Sequence, residues 1–326
     1  MIVTVGTVIL LVVGLLSIAL AIYGGLVASE ILEQSQGDTE SRSRAEEKYY
    51  LLSMIAFIVL LARILGVPLF FWMVQSLVPF CPGAMCAYGV LNVGSPYTVF
   101  ALGFKVLLPF AYGAWIVVEL ANRKHPGLPI LPALARSFAV VLLPLLLADG
   151  ASDVLTVLVI QPVYAPCCSS LYDVSPPFTP SSLLGAGSGP LIMIMTLLIL
   201  IMLAAVQWVP WQVRVMRVLT GMLAAAAGLL YLITLHDSYA PLVLGLPNHH
   251  CPFCLFQEYP DTALFSALIW LGVAATVWRL LVEFVWSRNH LPNELLADMG
   301  SVLRKTASLS ITFSLVSMLS HLLLVI

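Results

Sequence analysis

Long apolar runs recur from one end of the chain to the other, with polar stretches between them. The runs cover residues 2–28, 50–79, 97–121, 131–163, 190–209, 217–236, 261–286 and 307–326. A helix needs about 20 residues to cross the hydrocarbon core of a bilayer, so the pattern predicts eight transmembrane helices. The expected fold is all-α: a polytopic integral membrane helix bundle, with residues 1–326 forming a single transmembrane domain. The run 131–163 is too long for one straight crossing. It carries Pro144 and the stretch "DGASD", so a kink or a partly unwound segment is expected there. The first run lacks a basic leader, its first charged residue being Glu30, and it exceeds a signal-peptide core; it reads as a retained helix. Residues 29–48 read as a polar, solvated cytoplasmic loop, and residues 293–305 as an interfacial amphipathic helix.

Composition strengthens this reading. Hydrophobic residues make up 61% of the 326 and charged residues only 9%, where soluble domains carry about 25% charged. No polar stretch is long enough to fold alone. The net charge of −2 gives no case for nucleic-acid binding.

The Lys and Arg residues between runs set the orientation. Arg42, Arg44 and Lys48 follow the first run, Arg123 and Lys124 the third, Arg214 and Arg217 the fifth, and Arg288, Arg304 and Lys305 the seventh. The alternate loops, 80–96, 164–189 and 237–260, contain no Lys or Arg. This asymmetry predicts that both termini and those three loops lie outside the cytoplasm.

All six cysteines fall in the three loops without Lys or Arg: Cys81 and Cys86 in "FCPGAMCAYG", Cys167 and Cys168 in "APCCSSLYD", and Cys251 and Cys254 in "NHHCPFC". Cysteines serving only as small buried hydrophobes would also occur within the helices. An extracytoplasmic face tolerates disulfides, so thiol chemistry on that face is the strongest functional signal. Cys251 and Cys254 have the spacing of a dithiol that opens and closes easily. At a helix start the first thiolate gains from the helix N-terminus, and proline after it suits the first helical position. The alternative is a static disulfide. A further alternative is metal: His249, His250, Cys251 and Cys254 form a donor set suited to zinc or copper. Adjacent residues point apart, however, and one histidine near a thiolate is the easier arrangement. The Pro-Gly turn makes a Cys81–Cys86 bridge sterically easy. Neighbouring Cys167 and Cys168 suit either cross-loop pairing or a shuttle between the other two pairs. Six cysteines allow 15 connectivities.

Ionisable residues within the apolar runs are costly and are functional candidates. Arg63, Lys105, Asp149 and Asp153 fall at similar depth, the two aspartates four apart on one helix face, and His236 ends the sixth run. Mutual pairing is the simplest way for the four to be tolerated. They either glue helices together or form a polar chamber for a quinone headgroup or for protons. There is no C-x-x-C-H, so no c-type haem attachment, and no nucleotide-binding motif.

With "HHCPFC" and a second cysteine pair on the same face, the chain resembles in plan the membrane thiol–disulfide oxidoreductases of the DsbB and vitamin K epoxide reductase type. Those families use a compact four-helix bundle; eight runs, a third cysteine pair and the doubled histidine depart from it. The resemblance implies that Cys251 and Cys254 face a quinone-type acceptor while another pair faces a thiol partner. Three functions follow as expectations for a protein of a bacterial or archaeal cytoplasmic membrane. The first is a thiol–disulfide electron-transfer protein acting between an extracytoplasmic partner and a membrane carrier. The second is a copper or zinc handling protein. The third is an accessory subunit of a membrane complex, braced by disulfides.

Overall fold

The computed structural model describes residues 2–35, 39–123, 130–165, 188–209, 214–247, 249–288 and 294–325. Every regular element among them is helical. Eight helical stretches among the described residues are long and apolar enough to cross a membrane. The chain is a helical integral membrane protein, and it divides into two compact units, Met1–Ala165 and Pro166–Ile326.

The N-terminal unit contains α1 (Val5–Gln34), α2 (Thr39–Ser76), a 3₁₀ turn (Val78–Phe80), α3 (Ala87–Val93), α4 (Tyr97–Arg123), α5 (Leu131–Ser137), a π turn (Phe138–Leu142) and α6 (Leu143–Val159). The four long helices pack in a ring: α1 on α2, α2 on α4, α4 on α6, and α6 back on α1. Small residues let α1 approach closely. Its buried face runs Gly14, Ser17, Ala21, Gly24 and Ala28 at steps of three and four. A Cβ at Gly24 would stand 2.9 Å from the Phe138 ring, and one at Gly150 of α6 only 2.4 Å from the Ile18 side chain.

The long fourth run is irregular next to Pro144, as expected, and regular at the other stretch named. "DGASD" is unbroken helix within α6. The irregularity is the π turn, in which the Leu143 N–H reaches back five residues to the Phe138 carbonyl. Pro144 is the cause: it has no N–H to give, and its ring crowds the preceding turn.

The C-terminal unit contains α7 (Ser188–Val206), α8 (Arg214–Thr234), a π turn (Leu235–Tyr239), α9 (Ala240–Leu244), α10 (Pro252–Glu258), α11 (Asp261–Arg288) and α12 (Glu294–Val325). Here too the long helices close a ring, α7 on α8, α8 on α11, α11 on α12 and α12 on α7. The same device recurs: the Ala240 N–H reaches the Leu235 carbonyl just before Pro241. His236 and Asp237 therefore sit inside a continued helix rather than at its end. That helix stops at Gly245, whose φ of +66° is the left-handed conformation glycine adopts without penalty. Two expected polar links are largely helical: α1 and α2 consume most of 29–48, and α12 is continuous from Glu294, leaving no separate interfacial helix over the described part of 293–305.

Candidate functional site

Arg63, Lys105, Asp149 and Asp153 meet inside the N-terminal unit. About 20 Å of helix separates Arg63 from the end of α2 at Ser76, and Lys105 enters from the start of α4. Arg63 Nη1 donates to Asp149 Oδ2 at 2.6 Å and stands 3.7 Å from Asp153 Oδ2, while its Nη2 donates to the Gly14 carbonyl at 3.3 Å. Lys105 Nζ donates to Asp149 Oδ1 at 2.7 Å and to both oxygens of Asp153 at 2.7 and 2.8 Å. The ammonium also lies 5.4 Å from the Phe70 ring centroid, a cation–π distance. None of the four side chains is more than 4% exposed. Two cations balance two anions, which is how such groups become tolerable out of water. Arg63 Nε and the hydroxyls of Tyr112 and Thr156 are among the buried groups of this unit that have no hydrogen-bond partner among the described residues.

At the end of the same unit, Cys81 and Cys86 flank a tight turn. The Ala84 N–H bonds the Cys81 carbonyl at 3.1 Å, and the Ala165 N–H bonds the Pro82 carbonyl at 2.8 Å. Gly83 is required twice over. Its φ is +88°, and a Cβ there would lie 2.4 Å from the Ala165 carbonyl oxygen. Cys81 is a buried thiol whose sulfur faces the Gln161 carbonyl at 3.7 Å, so the Cys81–Cys86 bridge suggested by the turn is not formed. Burial pushes this thiol above its ordinary pKa, since a thiolate there would lose its hydration. Cys86 is the N-cap of α3.

In the C-terminal unit, Cys251 is the N-cap of α10 and Pro252 its first residue, the arrangement the spacing predicted. The Leu255 N–H bonds the Cys251 carbonyl, and the sulfurs of Cys251 and Cys254 lie within 4.8 Å of each other. Cys251 is buried and Cys254 half-buried. His250 Nδ1 lies 3.1 Å from the His236 carbonyl, and the two imidazoles stack at 6.0 Å. A carbonyl only accepts, so Nδ1 carries the proton and Nε2 is the acceptor of the neutral ring. His249 closes a backbone turn onto the Leu246 carbonyl. Cys167 and Cys168 lie outside the described residues.

One grouping escaped the sequence reading. His321, the lone histidine of the last run, joins Asp261 Oδ2 through Nε2 at 2.6 Å and the Tyr239 hydroxyl through Nδ1 at 3.0 Å. With the ring neutral, Nε2 donates to the carboxylate and Nδ1 accepts from the phenol. Asp261 is half exposed, His321 nearly buried and Tyr239 wholly buried. The three form a hydrogen-bonded chain from the rim of the unit into its core. As the lone histidine of the last run, His321 was the signal; its two partners are distant in sequence.

No protein-family model matches the chain, and no curated protein or solved structure does either.

Proposed function

We propose that this is a membrane thiol–disulfide electron-transfer protein. A thiol partner outside the cytoplasm gives up two electrons to the Cys251–Cys254 pair by exchange, leaving the partner oxidised and the pair as a dithiol. A membrane carrier of the quinone class then takes two electrons and two protons, becoming a quinol as the Cys251–Cys254 disulfide re-forms. The observation that carries this reading is the local geometry: a C-x-x-C opening a helix, one sulfur buried, the other half-buried, the two within 4.8 Å. The four-helix ring of the C-terminal unit, with this motif at a helix end, also supports the resemblance to four-helix thiol oxidoreductases. In this reading both termini and the cysteine loops face outside the cytoplasm, as the Lys and Arg distribution predicts. Cys254 is the sulfur that the partner's thiol attacks, because it is the more accessible of the two. Cys81, Cys86, Cys167 and Cys168 supply the remaining thiol capacity, with Cys81 held protonated. Within the same unit as Cys251 and Cys254, the Tyr239–His321–Asp261 chain is a hydrogen-bonded route for the protons.

The test is quinone-dependent oxidation of a reduced thioredoxin-like dithiol by the purified protein. Cys254→Ser is expected to abolish turnover while leaving helical content unchanged. Unaltered turnover in that variant, or a disulfide map showing three bridges that resist mild reductant, would overturn the proposal.

A second reading is favoured by His250. Its Nδ1 is held on a backbone carbonyl, a contact of the kind that orients metal-binding imidazoles. The sulfurs of Cys251 and Cys254, within 4.8 Å of each other, are soft donors suited to copper or zinc. Stoichiometric copper or zinc in the purified protein, lost in Cys251→Ser and His250→Gln, is the outcome this reading requires.

A further inference from the structure

At the end of the C-terminal unit opposite Cys251 and Cys254, a hollow of about 110 Å³ opens between α7 and α12, lined by Gln207, Trp208, Ser301, Arg304 and Lys305. By sequence, the stretches 214–217, 279–288 and 294–305 carry six Lys and Arg (Arg214, Arg217, Arg279, Arg288, Arg304 and Lys305) against Glu283, Glu294 and Asp298. Arg279 is buried, its nearest carboxylate is Glu283 at 3.6 Å, and its Nε has no hydrogen-bond partner among the described residues. Arg304 repels Arg279 in turn. Such a basic recess at the end of membrane helices favours an anion.

The hollow also holds an acceptor. Gln207 is 2% exposed. Its Nε2 is spent on the Leu203 carbonyl at 3.1 Å and the Thr276 hydroxyl at 3.2 Å, which assigns the other amide atom as a carbonyl oxygen. That oxygen has no partner among the described residues. Trp208 closes the side, its indole N–H donating to Ser308 at 2.7 Å while most of its ring stays exposed, as interfacial tryptophans do.

We infer that this hollow binds the phosphate of an anionic phospholipid whose headgroup carries a hydroxyl. Arg304 and Lys305 meet the phosphate oxygens, and the Gln207 carbonyl accepts from the headgroup hydroxyl. A choline headgroup brings no such donor, and an ammonium headgroup would add positive charge where cations already predominate. Basic recesses between membrane helices suit anionic headgroups for this reason.

The full-length protein, stripped of lipid in uncharged detergent, is titrated with phosphatidylglycerol, with phosphatidylcholine of the same chains, and with inorganic phosphate, and the bound species are counted by native mass spectrometry. Wild type is expected to retain one phosphatidylglycerol in preference to phosphatidylcholine. Arg304→Gln is expected to bind it about fivefold more weakly, as loss of one interfacial cation implies, and Arg304→Gln/Lys305→Gln more weakly still. Arg44→Gln, an exposed basic site of the N-terminal unit, is expected to leave binding unchanged. Inorganic phosphate binding alone with the same dependence on Arg304, without lipid preference, would keep the phosphate site and overturn the lipid as its source. Equal retention of the two lipids with no phosphate binding, or binding unaffected in both Arg304 variants, would overturn the inference entirely.

Discussion

In the N-terminal unit four charged side chains meet in the middle of the helices. In the C-terminal unit hydroxyls pair in the corresponding role: Thr196 with Thr234 at 2.6 Å, and Tyr231 with Ser266 at 2.5 Å. Its Asp261–His321 pair lies at the rim, with the carboxylate half in solvent. The two four-helix rings are alike in packing order and unlike in what ties them. A hydroxyl that loses its partner can still bond its own helix. Ser266 already donates to the Thr262 carbonyl at 2.6 Å, and Thr196 to that of Ile192 at 2.9 Å. A buried charge has no such retreat. The N-terminal unit should therefore tolerate almost no change at its polar centre, and the C-terminal unit a good deal.

The sharpest way to break this contrast is Asp149→Asn. It removes the carboxylate that both Arg63 and Lys105 use, leaving two buried cations facing one anion. Breaking a buried ion pair from one side costs about 3–5 kcal/mol, a large part of the stability of an ordinary domain. Thermal unfolding in detergent should show it directly. Removing charge from both sides, in Arg63→Met/Asp149→Leu, should recover most of the loss, because apolar replacements avoid the desolvation penalty. A cost below about 1 kcal/mol for the single change would mean that the quartet is not what ties this unit.

His321→Gln probes the other unit. The imidazole joins a charged carboxylate to a buried phenol. Hydrogen bonds to charged groups contribute about 1.5–3 kcal/mol each, and the exposure of Asp261 reduces that through screening. A loss of about 1–2 kcal/mol is expected, smaller than for Asp149→Asn. Thr234→Val should cost less again, within about 1 kcal/mol, because Thr196 keeps the Ile192 carbonyl. The ranking across these variants in one detergent is the test, since it compares the two units under the same conditions.

The difference between the units was half legible in the sequence. Arg63, Lys105, Asp149 and Asp153 stand out because a charge in an apolar run must be paired, and the run boundaries place all four at one depth. The Tyr239–His321–Asp261 chain does not stand out. Tyr239 and His321 lie 82 residues apart, and both Tyr239 and Asp261 fall where the run boundaries mark a loop or a helix end. The irregular turns were similarly half visible. Pro144 announced the distortion in its run, and acidic "DGASD" suggested one that is not there. The aspartates there are held in helix by the cations opposite, while the backbone adjusts at Phe138–Leu142, on the N-terminal side of the proline. Pro241 produces the same adjustment in the sixth run, where the apolar pattern ends early at His236 although the helix continues to Leu244.

The smallest expected effect concerns the thiols. Cys81 is buried, faces the Gln161 carbonyl and has its pKa raised by burial; Cys254 is half-buried in the first turn of α10. Thiolate is the reactive form, so a raised pKa lowers the fraction available at a given pH, and burial slows access as well. In the fully reduced protein at about pH 8, near the ordinary thiol pKa, iodoacetamide should modify Cys254 first. Cys81 should lag by about an order of magnitude or more. Raising the pH through the ordinary thiol range should speed Cys81 and narrow the gap only in part, because access still limits it. Peptide-resolved mass spectrometry separates the two sites. Equal rates at pH 8 would show that the turn around Gly83 opens freely, and would make Cys81 as eligible a nucleophile as Cys254.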